Sequence, residues 1–230
     1  MPEPLDPATL ADEITTQLAA WKRPTVPQMR GVRRAYTAKL KDAPPRTVLA
    51  VALKLLEGPT VAQRLLAFEL VHYHRPTLAA LTAADLGRLG RGLASWYEVD
   101  TFAPYLSGPA WRNGQVPDSL IAGWARSTDR WQRRAAVVST IGLNNRARGG
   151  HGDTPRTLAV CRLVLADRDD MVVKALSWAL RELAKHDPEA VRAFVAEHEA
   201  SLAPRVKREV ATKLRIGRKN PRRENKKPAG

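Results

Sequence analysis

The sequence predicts an all-α fold, built as an α-solenoid of antiparallel helix pairs, and three observations lead there. Apolar residues recur at three- and four-residue spacing along most of the chain, with almost no strand-like alternation. The helical runs have roughly the length of ordinary globular helices, about ten to fifteen residues. Short links punctuated by proline separate them, as in helix pairs stacked in sequence. No strict repeat period is visible, so the architecture rests on helix number and spacing, and a compact helical bundle is the alternative.

Each element has a local reason to form. Asp6-Pro7 opens the first helix, with Leu10, Ile14, Leu18 and Trp21 on one face. Pro27 opens the second, through Met29, Val32, Tyr36 and Leu40. Asp42 is expected to cap a third helix that begins at Pro44-Pro45, runs to Leu56 and ends at Gly58-Pro59. Thr60 to Tyr73 follows, and Thr82-Ala-Ala-Asp85 makes a capping-box-like start for Leu86, Leu89 and Leu93. Further helices are expected over Pro117 to Ala125, Trp131 to Ile141, Pro155 to Leu165, Met171 to Ala184, Pro188 to His198 and Pro204 to Leu214.

Composition narrows the class of partner. The chain has 230 residues, 44% of them hydrophobic, enough to bury the core of one domain, expected over residues 1–215. Lys and Arg number 38 against 23 Asp and Glu, a net charge of +15 that favours polyanions. From Arg205 to Lys227 eleven basic residues stand against only Glu209 and Glu224. Residues 216–230, with Pro221, Pro228 and no apolar periodicity, read as a disordered basic tail that adds affinity but no sequence choice. The plainer reading of that tail is solubility. A single cysteine, Cys161, rules out an internal disulfide framework and a cysteine-rich zinc site, as suits a reducing cytosol. No apolar run has the length of a membrane span, and the first residues are acidic where a signal peptide is basic. A soluble, cytoplasmic and nucleoid-associated protein is expected, and a monomer, since no heptad seam is present.

The most informative stretch is 171–185. On its wheel Val172, Val173, Leu176, Leu180, Leu183 and Ala184 share a face, while Trp178 lies roughly opposite, flanked by Lys174, Arg181 and Lys185. An aromatic ringed by cations invites a flat anionic partner such as nucleic acid; the alternative is that it packs on a neighbouring helix. Two further motifs stand out. Trp96-Tyr-Glu-Val-Asp100 places an aromatic and a carboxylate one helical turn apart. Arg134 falls on the apolar face of Trp131, Ala135, Val138 and Ile141, where a guanidinium either meets a buried carboxylate or lines a groove that receives a phosphate.

Several conventional signals fail. Gly87-Arg-Leu-Gly90-Arg-Gly92 has the wrong spacing for a phosphate loop. His72 and His74 stand two apart and so point to different faces of a helix, and His151 is read as a loop residue. There is no nucleophile elbow and no ligand cluster for a catalytic metal, so neither metal nor cofactor is expected.

Three motifs, Trp96-Tyr-Glu-Val-Asp100-Thr-Phe-Ala, Trp131-Gln-Arg-Arg134-Ala-Ala and Lys174-Ala-Leu-Ser-Trp178-Ala-Leu-Arg181-Glu-Leu-Ala-Lys185, taken in order resemble the AlkD family of HEAT-repeat DNA glycosylases. The likeness spans about Pro27 to Leu214 and is strong from Leu93 onward. It implies HEAT-like helix pairs with a curved, basic, concave DNA-binding surface. It makes Asp100 the catalytic carboxylate, Trp96 and Trp178 the aromatic walls of the cleft, and Arg134 a DNA-backbone contact; Lys174, Arg181 and Lys185 are expected to bind DNA beside it. The implied substrate is duplex DNA carrying N3- or N7-alkylated purines. Such a purine is cationic and a good leaving group, so one carboxylate that stabilises an oxocarbenium-like sugar suffices, without base flipping. Electron-rich indoles would attract the cationic nucleotide.

The chain departs from the family at Ser95, where a second aromatic is usual, and at the longer run Asn144 to Asp153 with Arg146, Arg148, Gly149, Gly150 and Gly152. That run is read as a flexible basic loop that either touches a DNA groove or is plain solvent loop. Two other classes remain beside the glycosylase: a catalytically silent helical DNA-binding protein, and a scaffold for acidic protein partners.

Overall fold

The computed structural model describes residues 6–219, and no strand occurs among them. The helices are α1 (Pro7–Ala19), α2 (Val26–Lys39), α3 (Pro45–Leu56), α4 (Val61–Tyr73), α5 (Arg75–Ala79), α6 (Ala83–Leu89), α7 (Trp96–Phe102), α8 (Gly108–Arg112), α9 (Asp118–Ala125), α10 (Arg130–Asn144), α11 (Thr154–Leu163), α12 (Asp170–Leu183), α13 (Pro188–Glu197) and α14 (Pro204–Ile216). A π turn, Ala103–Ser107, joins α7 to α8, and a 3₁₀ turn, Arg146–Arg148, follows α10. None of these helices is long and apolar enough to cross a membrane.

Local capping chemistry sets where the helices begin. Asp6 accepts from the Ala8 and Thr9 amides at the head of α1. Thr60 with Gln63 and Thr82 with Asp85 form reciprocal capping boxes on α4 and α6. Asp42 does not cap α3, contrary to expectation. The proline pair sets the entry angle by itself: Pro44 occupies the cap position without a side-chain hydrogen bond, and Asp42 lies exposed beside Lys41. Leu93 is buried but falls beyond the end of α6, which stops at Gly90.

The helices stack in two rows, the solenoid that the sequence predicts. In one row α2 packs on α4, α4 on α7, α7 on α10, α10 on α12 and α12 on α14. The other row includes α1 against α3 and α9 against α11. One continuous apolar core runs through both, from Leu10 and Ile14 through Phe68, Phe102 and Trp111 to Leu180, Phe194 and Val210. α10 is its spine, buried from Arg134 to Asn144.

A close backbone approach in the core fixes the junction of the π turn and α8 against α10. A methyl group on Gly108 would stand 2.6 Å from the Ser139 carbonyl oxygen, and one on Gly142 would stand 2.7 Å from Gly108. Only glycine lets the two backbones approach so closely. The Ser107 and Ser139 hydroxyls meet at 2.7 Å in the same place. The tail expected over 216–230 lies, from Asn220 onward, outside the described residues.

Candidate nucleic-acid interface

The first turn of α7 is locked from both directions. The Glu98 amide donates to Ser95 Oγ, and the Ala94 amide donates to the Glu98 carboxylate at 2.7 Å. Trp96 and Tyr97 therefore project from a fixed turn, 44% and 55% exposed, with ring centroids 3.6 Å apart and planes inclined by 26°. Asp100 stands one turn further along.

Arg134 comes from the first turns of α10, whose start is capped by Asp129 accepting from the Trp131 amide at 2.8 Å. Its neighbour Arg133 turns away to Asp167 at 2.6 Å. Arg134 meets a carboxylate, one of the two possibilities its sequence position allows, and that carboxylate is Asp100. Nε donates to Oδ1 at 3.0 Å, and Nη2 donates to Oδ1 and Oδ2 at 2.8 Å each. Nη1 donates to the Met171 carbonyl and so ties the pair to the start of α12. Burial pushes the Asp100 carboxyl above its ordinary value, and the Arg134 guanidinium draws it only part of the way back.

Trp178 lies half-buried on α12, in a cleft of about 370 Å³ lined also by Arg134, Lys174, Arg181, Arg205, Glu209 and Lys219. Five cations against one carboxylate make this an anion-attracting hollow. Glu209 organises its floor: it accepts from Ser177 Oγ at 2.6 Å and faces Arg181 Nε at 3.7 Å and Lys219 Nζ at 3.6 Å. Lys174 and Arg205 share Asp170 at 2.6 and 2.7 Å.

Of the residues expected from the sequence, Arg134, Lys174, Trp178 and Arg181 line this cleft together. Asp100 joins it through Arg134, while Trp96 stands at the head of α7 outside the lining. Lys185 lies one turn beyond Arg181 and pairs with Glu182 at 2.7 Å, away from the hollow. Sequence reasoning missed Tyr97, Arg205, Glu209 and Lys219. Arg205 and Glu209 stand four apart on α14, a spacing that places both on one face, and that signal was hidden within a longer basic run.

The other motifs settle into structural roles. Gly87 to Gly90 belong to α6 and its cap, His74 caps α5 by accepting from the Thr77 amide, and His151 is an exposed loop residue. The described residues hold no group of three or more His, Cys, Asp or Glu side chains placed to bind a metal ion.

Comparison with curated proteins gives no match. The family model described as DNA alkylation repair enzyme matches residues 24–214, and with most of its length so matched the chain belongs to that family, which includes AlkD-like proteins.

Proposed function

We infer that the protein is a monofunctional DNA glycosylase that hydrolyses the N-glycosidic bond of cationic N3- or N7-alkylated purines in duplex DNA, without base flipping. The observation that carries this reading is the Asp100 carboxylate, held on two sides by Arg134 between an exposed aromatic pair and a cationic cleft walled by Trp178. In this reading the helix pairs are HEAT-like and their row from α7 to α14 is the concave DNA face.

The chemistry follows from those residues. A carboxylate has about four lone-pair sites, and Arg134 uses three. In this reading the remaining one, on Oδ2, accepts from the attacking water. As the bond from C1′ to the purine nitrogen breaks, its electron pair neutralises the alkylated base, and the Asp100 charge stabilises the oxocarbenium-like sugar left behind. Water adds to C1′ and passes its proton to Oδ2. Trp96 and Trp178 attract the cationic nucleotide, and a cleft open at its head would accommodate bulky adducts. Lys174 and Arg181 hold the phosphates at the cleft, as does the spare N–H of Arg134, while Lys185, outside the cleft, meets the flanking backbone.

The deciding experiment is single-turnover release of 7-methylguanine and 3-methyladenine from methylated duplex DNA, comparing wild type with Asp100→Asn, with intact-strand controls against nuclease activity. Release by wild type alone, with DNA binding retained in the variant, is the expected result. Binding without release from any alkylated duplex, bulky adducts included, would make the protein a silent helical DNA-binding module, a reading favoured by how fully Arg134 occupies Asp100. Absence of salt-sensitive DNA binding would point instead to a protein scaffold.

A further inference from the structure

A second charged surface stands apart from the cleft. Arg33 of α2 lies over the Tyr73 ring, 3.9 Å from its centroid. Tyr73 meets His72 edge-on at 4.9 Å, and His72 stacks on Tyr105 of the π turn at 4.4 Å with planes only 16° apart. Arg148, from the turn after α10, closes the column 4.4 Å from the Tyr105 centroid. Residues from four separate elements thus form one ladder, with a guanidinium at each end.

The ladder is built rather than incidental. His72 Nδ1 donates to the Tyr105 carbonyl at 3.0 Å. The turn that presents Arg148 is pinned, not the flexible loop that its glycines suggested. Arg112 Nη1 donates to the Gly142 and Arg148 carbonyls at 2.7 and 2.9 Å. Gly149 takes a left-handed φ of 80°, and the Asn144 side chain holds the Asp153 amide at 3.0 Å. Arg75 and Arg112 add charge beside the column. Among the described residues the end guanidiniums donate no hydrogen bond, and the one ion pair they make is Arg33 with Glu69 at 3.9 Å. Arg33 Nε is buried with no hydrogen-bond partner.

We propose that this arginine–aromatic ladder is a second contact for duplex DNA, gripping backbone phosphates away from the lesion. A guanidinium held over an aromatic ring with its Nη donors unbonded offers the charged hydrogen-bonding group that suits a phosphate. The position fits a long ligand. α10 carries Arg134 near its start and ends at Asn144, about 15 Å further along at about 1.5 Å per residue, just before the turn that presents Arg148. That is about four nucleotide spacings along one strand. The proposal rests on the reading of the protein as a DNA-binding repair enzyme.

The test is the affinity of the full chain for an unmodified duplex as a function of salt, for wild type, the double variant Arg33→Gln/Arg148→Gln, the single variant Arg148→Gln and the charge-preserving pair Arg33→Lys/Arg148→Lys. Two lost phosphate contacts should reduce the slope of log K against log salt by about 1.8 and the low-salt affinity at least tenfold. Arg148→Gln, at a partly buried position, should lose about half as much, and the lysine pair should keep the wild-type slope. Base release at saturating DNA should not change. A wild-type slope in both glutamine variants would overturn the ladder contact while leaving the enzyme reading intact. Wild type without salt-dependent DNA binding would overturn both.

Discussion

The Asp100–Arg134 pair makes a sharp claim about pH. Replacing Arg134 with Met keeps the length and apolar bulk of the side chain but removes the one cation bonded to Asp100 among the described residues. Breaking a buried ion pair from one side costs about 3–5 kcal/mol, and the Asp100 side chain, 23% exposed, retains some access to water, so about 2–3 kcal/mol is expected. For a chain of this size that lowers Tm by about 4–12 °C. The sign of the pH effect follows from the carboxyl itself. Burial already sets it above its ordinary value of 3.8, so the folded state binds a proton more readily than the unfolded chain, and stability declines as pH rises from that value through the folded one. Without Arg134 the counterweight is gone, and the window of decline moves further towards neutrality. If ionised Asp100 drives base release, the acid limb of the single-turnover rate moves alkaline by the same amount. The assays are thermal melts between pH 4 and 8 and the rate profile over that range, with Asp100→Asn/Arg134→Met completing a double-mutant cycle. Additive effects within about 0.5 kcal/mol, together with an unmoved acid limb, would refute the coupling.

Three other outcomes are expected. Trp178→Ala should weaken binding to alkylated duplex by about 1–3 kcal/mol, or roughly 5- to 150-fold, read by fluorescence anisotropy, if a base or ribose stacks on that indole. Cys161 is fully buried and its thiol is pushed up to about 12, so iodoacetamide should leave the folded protein unlabelled at pH 8 and modify it only in denaturant. Gly-to-Ala changes should have opposite signs at two helical sites. Gly142→Ala drives a methyl into the Gly108 backbone and should cost about 1–3 kcal/mol. Gly31→Ala meets nothing within 4 Å and should stabilise by up to about 1 kcal/mol, both measured by urea denaturation.

Some helix starts were legible from a short polar side chain that reaches back to a free amide. Thr82 caps where its spacing to Asp85 predicts, and the helices expected at Asp6-Pro7 and from Thr60 start there with Asp6 and Thr60 as caps, since capping depends on residues two or three apart and needs no tertiary knowledge. The segment from Ala103 to Arg112 was not legible. Pro104, Gly108 and Pro109 read locally as breakers, yet the chain continues through a π turn into α8. The widened turn tolerates a proline without its amide, and Gly108 is required by the approach of α10 rather than by a bend. The turn after α10 failed in the same way: its three glycines suggest mobility, while Arg112, thirty residues upstream of Gly142, supplies the hydrogen bonds that fix it.

The site shows the same division between local pattern and distant partner. Trp96 and Asp100 are related by one helical turn, and the cations around Trp178 by the wheel of α12, so both groups can be read from spacing. What spacing cannot supply is the partner of Arg134, which lies 34 residues away, or the arrival of Glu209 beside Arg181 from another helix. The meeting of Arg134 with Asp100 depends on how closely the end of the π turn and the start of α8 seat on α10. That approach is set at Gly108 and Gly142, where any side chain would push the π turn, and with it α7, away from α10. The carboxylate proposed for chemistry is thus placed by two glycines that touch no substrate. A residue chosen for its lack of a side chain carries no chemical signature, which is why the motifs pointed to the reactive groups and were silent on what aligns them.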